Sequence, residues 1–217
     1  MSLSLDKKID ELVRRIPELI KNFDYRKGPD LYFYKRCIGA RRTKHLSELL
    51  EEPDGYLELI YATLVAWDMN SRGAKMKYFD DFRSSILENK ERFLQLSTLR
   101  LETLSTGAFG EAKMICSEIY DNMHLMISGG RLVSNSKTMH FLLPDLIMPM
   151  DRQNTLNFFF GYTNESKSNF MKVLTCSYEI AKRIDLSPFL DSEWNQSIPK
   201  IIDNAIISSE SPKYNKR

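Results

Sequence analysis

Apolar residues recur every three or four positions along most of this chain, and no stretch alternates strictly between apolar and polar. That period lets an α-helix bury one face and does not suit a half-buried strand. In the first run Leu5, Ile9, Leu12, Val13, Ile16, Leu19, Ile20 and Phe23 share one side, and charged residues take the other. Pro17 falls inside it; lacking an N–H and crowding the carbonyl four residues back, it predicts a kink or a division. A short helix is expected over 46–51. A strongly apolar one follows, with Leu57, Ile60, Tyr61, Leu64, Val65 and Met69 inward. Gly73 marks a turn, a break is expected near Asn89, and Gly107 and Gly110 bracket a loop. The next helix turns Met114, Ile115, Ile119, Met123 and Met126 inward and is stopped by Ser128-Gly129-Gly130. Later helices run through Phe170, Val173, Leu174, Tyr178 and Ala181, and over about 195–207. With no repeat and no βα pattern, the expectation is an all-α fold: a compact multi-helix domain of two helical lobes over 1–210, with 211–217 a frayed tail.

Composition limits the function classes. At 217 residues, 42% hydrophobic and 28% charged, the chain is long and apolar enough for a real core. A net charge of +2 means that any nucleic-acid surface must be a local patch. Cys37, Cys116 and Cys176 are widely spaced and odd in number, so they form neither a disulfide framework nor a metal motif; His45, His124 and His140 give no zinc signature. No cofactor and no metal are expected. No apolar run approaches the roughly 20 residues of a membrane span, and the N-terminus lacks a signal peptide's apolar core, so the expectation is a cytoplasmic protein with no membrane partner. P-loop, GxSxG and HExxH motifs are absent.

Residues 26–44 carry seven basic residues (Arg26, Lys27, Lys35, Arg36, Arg41, Arg42, Lys44) against one acid, Asp30, interleaved with Tyr25, Tyr32, Phe33 and Tyr34. Cations beside aromatics suit a polyanion with stackable bases. Arg36, Arg41, Arg42 and Lys44, together with Arg131, are the candidate nucleic-acid-binding residues, with DNA the expected partner. An alternative is a non-catalytic helical interaction domain. For that reading Phe158-Phe159-Phe160, too close together to enter one core stripe, would form a homo-oligomer interface.

The most distinctive stretch is "NSKTMHFLLPDLIMPMDRQNTLNFFFG", 135–161. Asn135 or Ser136 is expected to cap a helix through Lys137 that ends at Pro144-Asp145. Met148 precedes a proline and is biased toward extended geometry. Asp151 stands where an N-cap belongs, in the positive field of the next helix. The chain doubles back, so Lys137 and Asp151 are expected to face one cleft.

Lys137-Thr138 followed by Pro149-Met150-Asp151 resembles the helix-hairpin-helix DNA glycosylases, in which a Lys-Thr pair opens a helix and a proline, one residue and an aspartate start the next. The resemblance implies an all-helical fold in two lobes. It implies that Lys137 is the nucleophile that attacks the sugar C1′ and forms a Schiff base, and that Asp151 supports the positive charge developing on the sugar: base excision by a DNA glycosylase and abasic-site lyase. The chain departs from the family in three ways. "SGGRLVSNSK" replaces the family's Leu-Pro-Gly-Val-Gly type hairpin, the Lys-to-Asp interval is several residues shorter, and no cysteine cluster follows. A Schiff-base lysine must be neutral when it attacks. Since Asp151 favours the protonated amine, a third group is needed nearby, with Arg131, Arg152 and His140 the candidates.

Overall fold

The computed structural model describes residues 4–21, 23, 28–51, 55–71 and 73–210. Among these the chain is all-α: α1 (Leu5–Lys21), α2 (Pro29–Thr43), α3 (Leu46–Glu51), α4 (Tyr56–Ala66), α5 (Phe79–Leu87), α6 (Lys90–Leu96), α7 (Thr106–Asn122), α8 (Leu132–Leu142), α9 (Asn157–Phe160), α10 (Lys167–Arg183) and α11 (Ile198–Glu210). A π-helical turn, Arg152–Leu156, precedes α9, and an isolated antiparallel bridge joins Met76 to Met126. Tyr25, Arg26, Lys27 and the tail expected over 211–217 lie outside the described residues.

α1, α10 and α11 pack together, and α11 also meets the π-turn; α2, α4 and α8 form a second group, to which α3 adds. α8 packs on α10 as well, and the buried apolar side chains form one cluster running through both groups. No helix is long and apolar enough to cross a membrane among the described residues.

Several elements differ from the sequence reading. α1 runs unbroken through Pro17. Ile9, Leu12, Ile16, Leu19 and Ile20 are buried on both sides of the proline, and this packing offsets the roughly 3 kcal/mol an interior proline costs. α7 starts earlier than expected, with Ser105 Oγ accepting the Ala108 N–H at 3.2 Å, so Gly107 and Gly110 lie within the helix. Its inward stripe is Phe109, Ala112, Cys116, Ile119 and Tyr120, which leaves Met114 63% exposed. α7 also stops before Ser128. Asn135 Nδ2 donates to the carbonyls of Tyr120 and Met123, satisfying that helix end, and Met126 leaves in extended form for its bridge.

Asn135 and Ser136 therefore do not cap α8. Its first N–H groups, on Leu132 and Val133, are met by the carboxylate of Glu165 at 2.8 and 3.3 Å, a distant acidic group in the place a local cap would fill. Lys137 consequently sits in the second turn of α8 rather than the first.

Candidate active site

α8 and the returning segment 143–151 are joined by two side chains one helical turn apart. Ser136 Oγ accepts the Met150 N–H at 3.1 Å, and His140 Nδ1 lies 2.7 Å from the Ile147 carbonyl. A carbonyl only accepts, so Nδ1 carries the proton and Nε2 is left as an acceptor. Burial pushes the His140 imidazole down to about 3, so it is neutral. Lys137 and Asp151 each follow one member of the Ser136–Met150 pair, which ties the backbone beside one to the backbone beside the other. Asp151 is the charged group that acts most strongly on Lys137.

Asp151 does occupy the expected N-cap. Its Oδ1 accepts the Asn154 N–H at 2.6 Å and its Oδ2 accepts from Asn154 Nδ2 at 2.7 Å, while its own N–H donates to Thr155 Oγ1 at 3.0 Å. The helix that it caps opens as a π-turn rather than an α-turn.

Lys137 is largely enclosed but keeps a partial opening to solvent, and its ammonium stands over the Trp67 ring, 5.3 Å from the centroid. Enclosure holds its amine below the ordinary lysine range, against the pull of Asp151, Asp203 and Asp68; Lys200 adds to the lowering. None of the expected third groups takes that part. Arg131 donates to the Asp121 carbonyl and lies beside His124, Arg152 donates to the Thr163 carbonyl, and His140 is neutral. Among the described residues the cation that acts on Lys137 is Lys200, from α11.

Lys200 and Asp203 form a buried ion pair at 2.5 Å, 4% and 4% exposed. Burial pushes the Asp203 carboxyl up, and Lys200 opposes that shift. The Lys200 ammonium lies 5.3 to 5.9 Å from the centroids of Trp194, Trp67 and Tyr34. These rings pack on one another, with Tyr34 stacked on Trp194 at 5.3 Å and His140 and Phe141 completing the wall. Within this wall Tyr34 Oη, Trp67 Nε1 and His140 Nε2 are buried without a hydrogen-bond partner among the described residues. Such groups are few in folded proteins, and three in one wall set this region apart from ordinary core. Asp68, next to Trp67, holds a left-handed backbone with φ 60°, a conformation that costs a non-glycine residue about 1–3 kcal/mol.

Lys200, Asp203, Trp67 and Trp194 were not reached from the sequence, although a signal exists. Lys200 and Asp203 are the only charged residues between Ile198 and Ser209, three apart in a mainly apolar stretch that Trp194 precedes.

The basic candidates divide. Arg36 is exposed. Arg41 spends its guanidinium on three backbone carbonyls, those of Leu142, Ser97 and Lys44, at the ends of α8, α6 and α2. Arg42 donates to the Gln196 carbonyl and lies 3.7 Å from Asp145. Lys44 is exposed, and Tyr34, read as a stacking aromatic, is wholly buried. In the phenylalanine run Phe159 is buried, and Phe158 and Phe160 pack partly buried against the core. Among the described residues no group of His, Cys, Asp and Glu has the arrangement of a metal site. A cavity of about 370 Å³ opens at the end of α10, between Arg100, Glu102, Lys182 and Asp185, and touches none of Lys137, Asp151, Lys200 or Asp203.

No family model matches this sequence, and comparison with curated proteins and with solved structures gives no match.

Proposed function

We propose that Lys137 and Asp151 form the nucleophile and carboxylate of a base-excision site acting on DNA, of the glycosylase and abasic-site lyase kind. The observation that carries this reading is an enclosed amine, held below the ordinary lysine range, on which the capped Asp151 carboxylate acts, with the Ser136–Met150 hydrogen bond joining the residues that precede the two. A lowered amine reaches its neutral, nucleophilic form at a lower pH than an ordinary lysine.

The chemistry balances with groups present. The Lys137 Nζ lone pair forms a bond to the sugar C1′, and the C1′–N bond breaks with its electrons leaving on the base. One amine proton passes to the departing base. The C1′–O4′ bond then opens as O4′ takes a proton from water, which leaves hydroxide and a protonated imine between Lys137 and C1′; hydroxide takes a C2′ proton, and the C3′–O bond breaks with its electrons leaving on the 3′ phosphate, which cuts the strand. Asp151, anchored through Asn154, supplies negative charge where the sugar becomes positive. Asp203 lies close enough to affect the same amine, and its charge is offset by Lys200.

Duplex and single-stranded oligonucleotides carrying oxidised bases or abasic sites test the proposal. Release of the free base and a strand break at the site, both lost in Lys137→Ala, are the expected products. Intact DNA after prolonged incubation with folded protein would remove the reading.

A further inference from the structure

We infer that Lys200 is a positioning residue for Lys137: paired with Asp203 and standing over the same Trp67 indole, it cancels a carboxylate that would otherwise hold the Lys137 amine protonated. The inference deepens the base-excision reading and rests on it for the use to which the neutral amine is put.

The geometry comes first. Lys137 and Lys200 lie 5.3 and 5.6 Å from the centroid of one ring, that of Trp67, although they come from different helices, α8 and α11. Lys200 is ion-paired at 2.5 Å with Asp203, one turn along α11, and both are buried. The charged groups that act on Lys137 come from three places: Asp151, the N-cap of the π-turn, Asp203 and Lys200 from α11, and Asp68, the residue after Trp67. Among the described residues three are carboxylates, each favouring the ammonium form, and Lys200 is a cation that opposes them. His140, stacked in the same wall, is neutral and adds no positive charge.

Two opposing influences are thus set on one amine. Enclosure favours the neutral form, and three carboxylates favour the charged one. The strongest carboxylate, Asp151, is needed for the proposed chemistry. Asp203 is the next strongest, and buried as it is, its field is little screened by solvent. Lys200 both neutralises Asp203 and repels a second positive charge over the shared indole. A lysine buried for packing alone would have no reason to bring its charge to this ring, since an apolar residue of similar volume would fill the space without the desolvation cost of an ion pair.

The test needs no DNA. Reductive methylation of the whole chain with formaldehyde and cyanoborohydride, followed across pH and read at Lys137 by peptide mass spectrometry, reports the fraction of neutral amine. The wild type is expected to show an inflection below that of an ordinary lysine. Lys200→Met shifts it up by about one unit, which is roughly tenfold less neutral amine at fixed pH below the inflection. Lys200→Arg keeps the charge and the wild-type inflection. Asp203→Asn, which removes the carboxylate, moves the inflection further down and carries the test if Lys200→Met does not fold. An inflection that ignores both Lys200→Met and Asp203→Asn, or that shifts as far with arginine as with methionine, overturns the inference. Trapping on abasic DNA separates the two readings. An inflection that moves as stated without a DNA adduct leaves Lys200 in its role and removes base excision; an adduct with an inflection blind to Lys200 does the reverse.

Discussion

Ser136 accepts the backbone N–H of Met150 at 3.1 Å, and the next residue on each side of that bond is a member of the proposed catalytic pair. The spacing between Lys137 and Asp151 is therefore not left to the Pro144 and Pro149 turns alone. A buried side-chain hydroxyl on a helix fixes the register of an irregular segment to the helix, and Asp151 then fixes the next turn.

Ser136→Ala should leave the Met150 N–H buried without a partner and cost about 1–3 kcal/mol of stability. Trapping of DNA, measured where the variant is still folded, should fall as Asp151 loses its place. A urea midpoint equal to the wild type would show that the bond does not hold the segment.

Substitution can separate the cap that Asp151 makes from its proposed catalytic role. Asparagine caps a helix about as well as aspartate, so Asp151→Asn should keep the wild-type urea midpoint, whereas Asp151→Ala should lose about 1 kcal/mol. Base release should be lost in both, because both lack the charge. Retained base release in Asp151→Asn would confine this residue to capping.

His140 predicts an acid sensitivity whose sign is fixed. Its folded value, about 3, lies below the ordinary 6.5, so between those values the unfolded chain takes up a proton that the fold refuses. Stability contributed by the neutral ring is complete above 6.5 and declines as the pH falls toward 3. By pH 5 the loss is about 2 kcal/mol, at about 1.4 kcal/mol per unit. His140→Gln keeps a donor for the Ile147 carbonyl without the titration, so its denaturation midpoint should change less between pH 7 and 5. Parallel pH profiles for the two proteins would contradict this.

Among the basic residues, Arg36 and Arg41 should behave differently despite lying five apart in one helix. Arg36→Ala should leave stability unchanged and, where DNA is bound, reduce the salt slope by about one. Arg41→Ala leaves the carbonyls of Leu142, Ser97 and Lys44 without that donor and should lower the thermal midpoint. A destabilised Arg36→Ala beside an unaffected Arg41→Ala would reverse the assignment.

The helices with one-sided periodicity were readable from the residues: in α1 and α10 the expected inward residues are largely the buried ones. Periodicity misled where a remote group decides an end. Nothing near Leu132 says that Glu165 will cap α8, and nothing near Asn122 says that Asn135 will finish α7. Local pattern also placed Met114 inward, because the face of α7 depends on a start at Ser105 that the glycines seemed to exclude. The N-cap at Asp151 was legible because a proline-fixed return precedes it in sequence. Lys200 was not. It reaches the same indole from a helix more than sixty residues away, and only packing brings α8 and α11 to Trp67.

Borohydride reduction of the protein mixed with DNA carrying an abasic site tests the central claim most directly, since hydride converts the Lys137 imine to a stable amine. A covalent adduct is expected for the wild type, mapped to Lys137 by peptide mass spectrometry and absent from Lys137→Ala. Folded wild-type protein that gives no adduct, or an adduct that persists in Lys137→Ala, would contradict it.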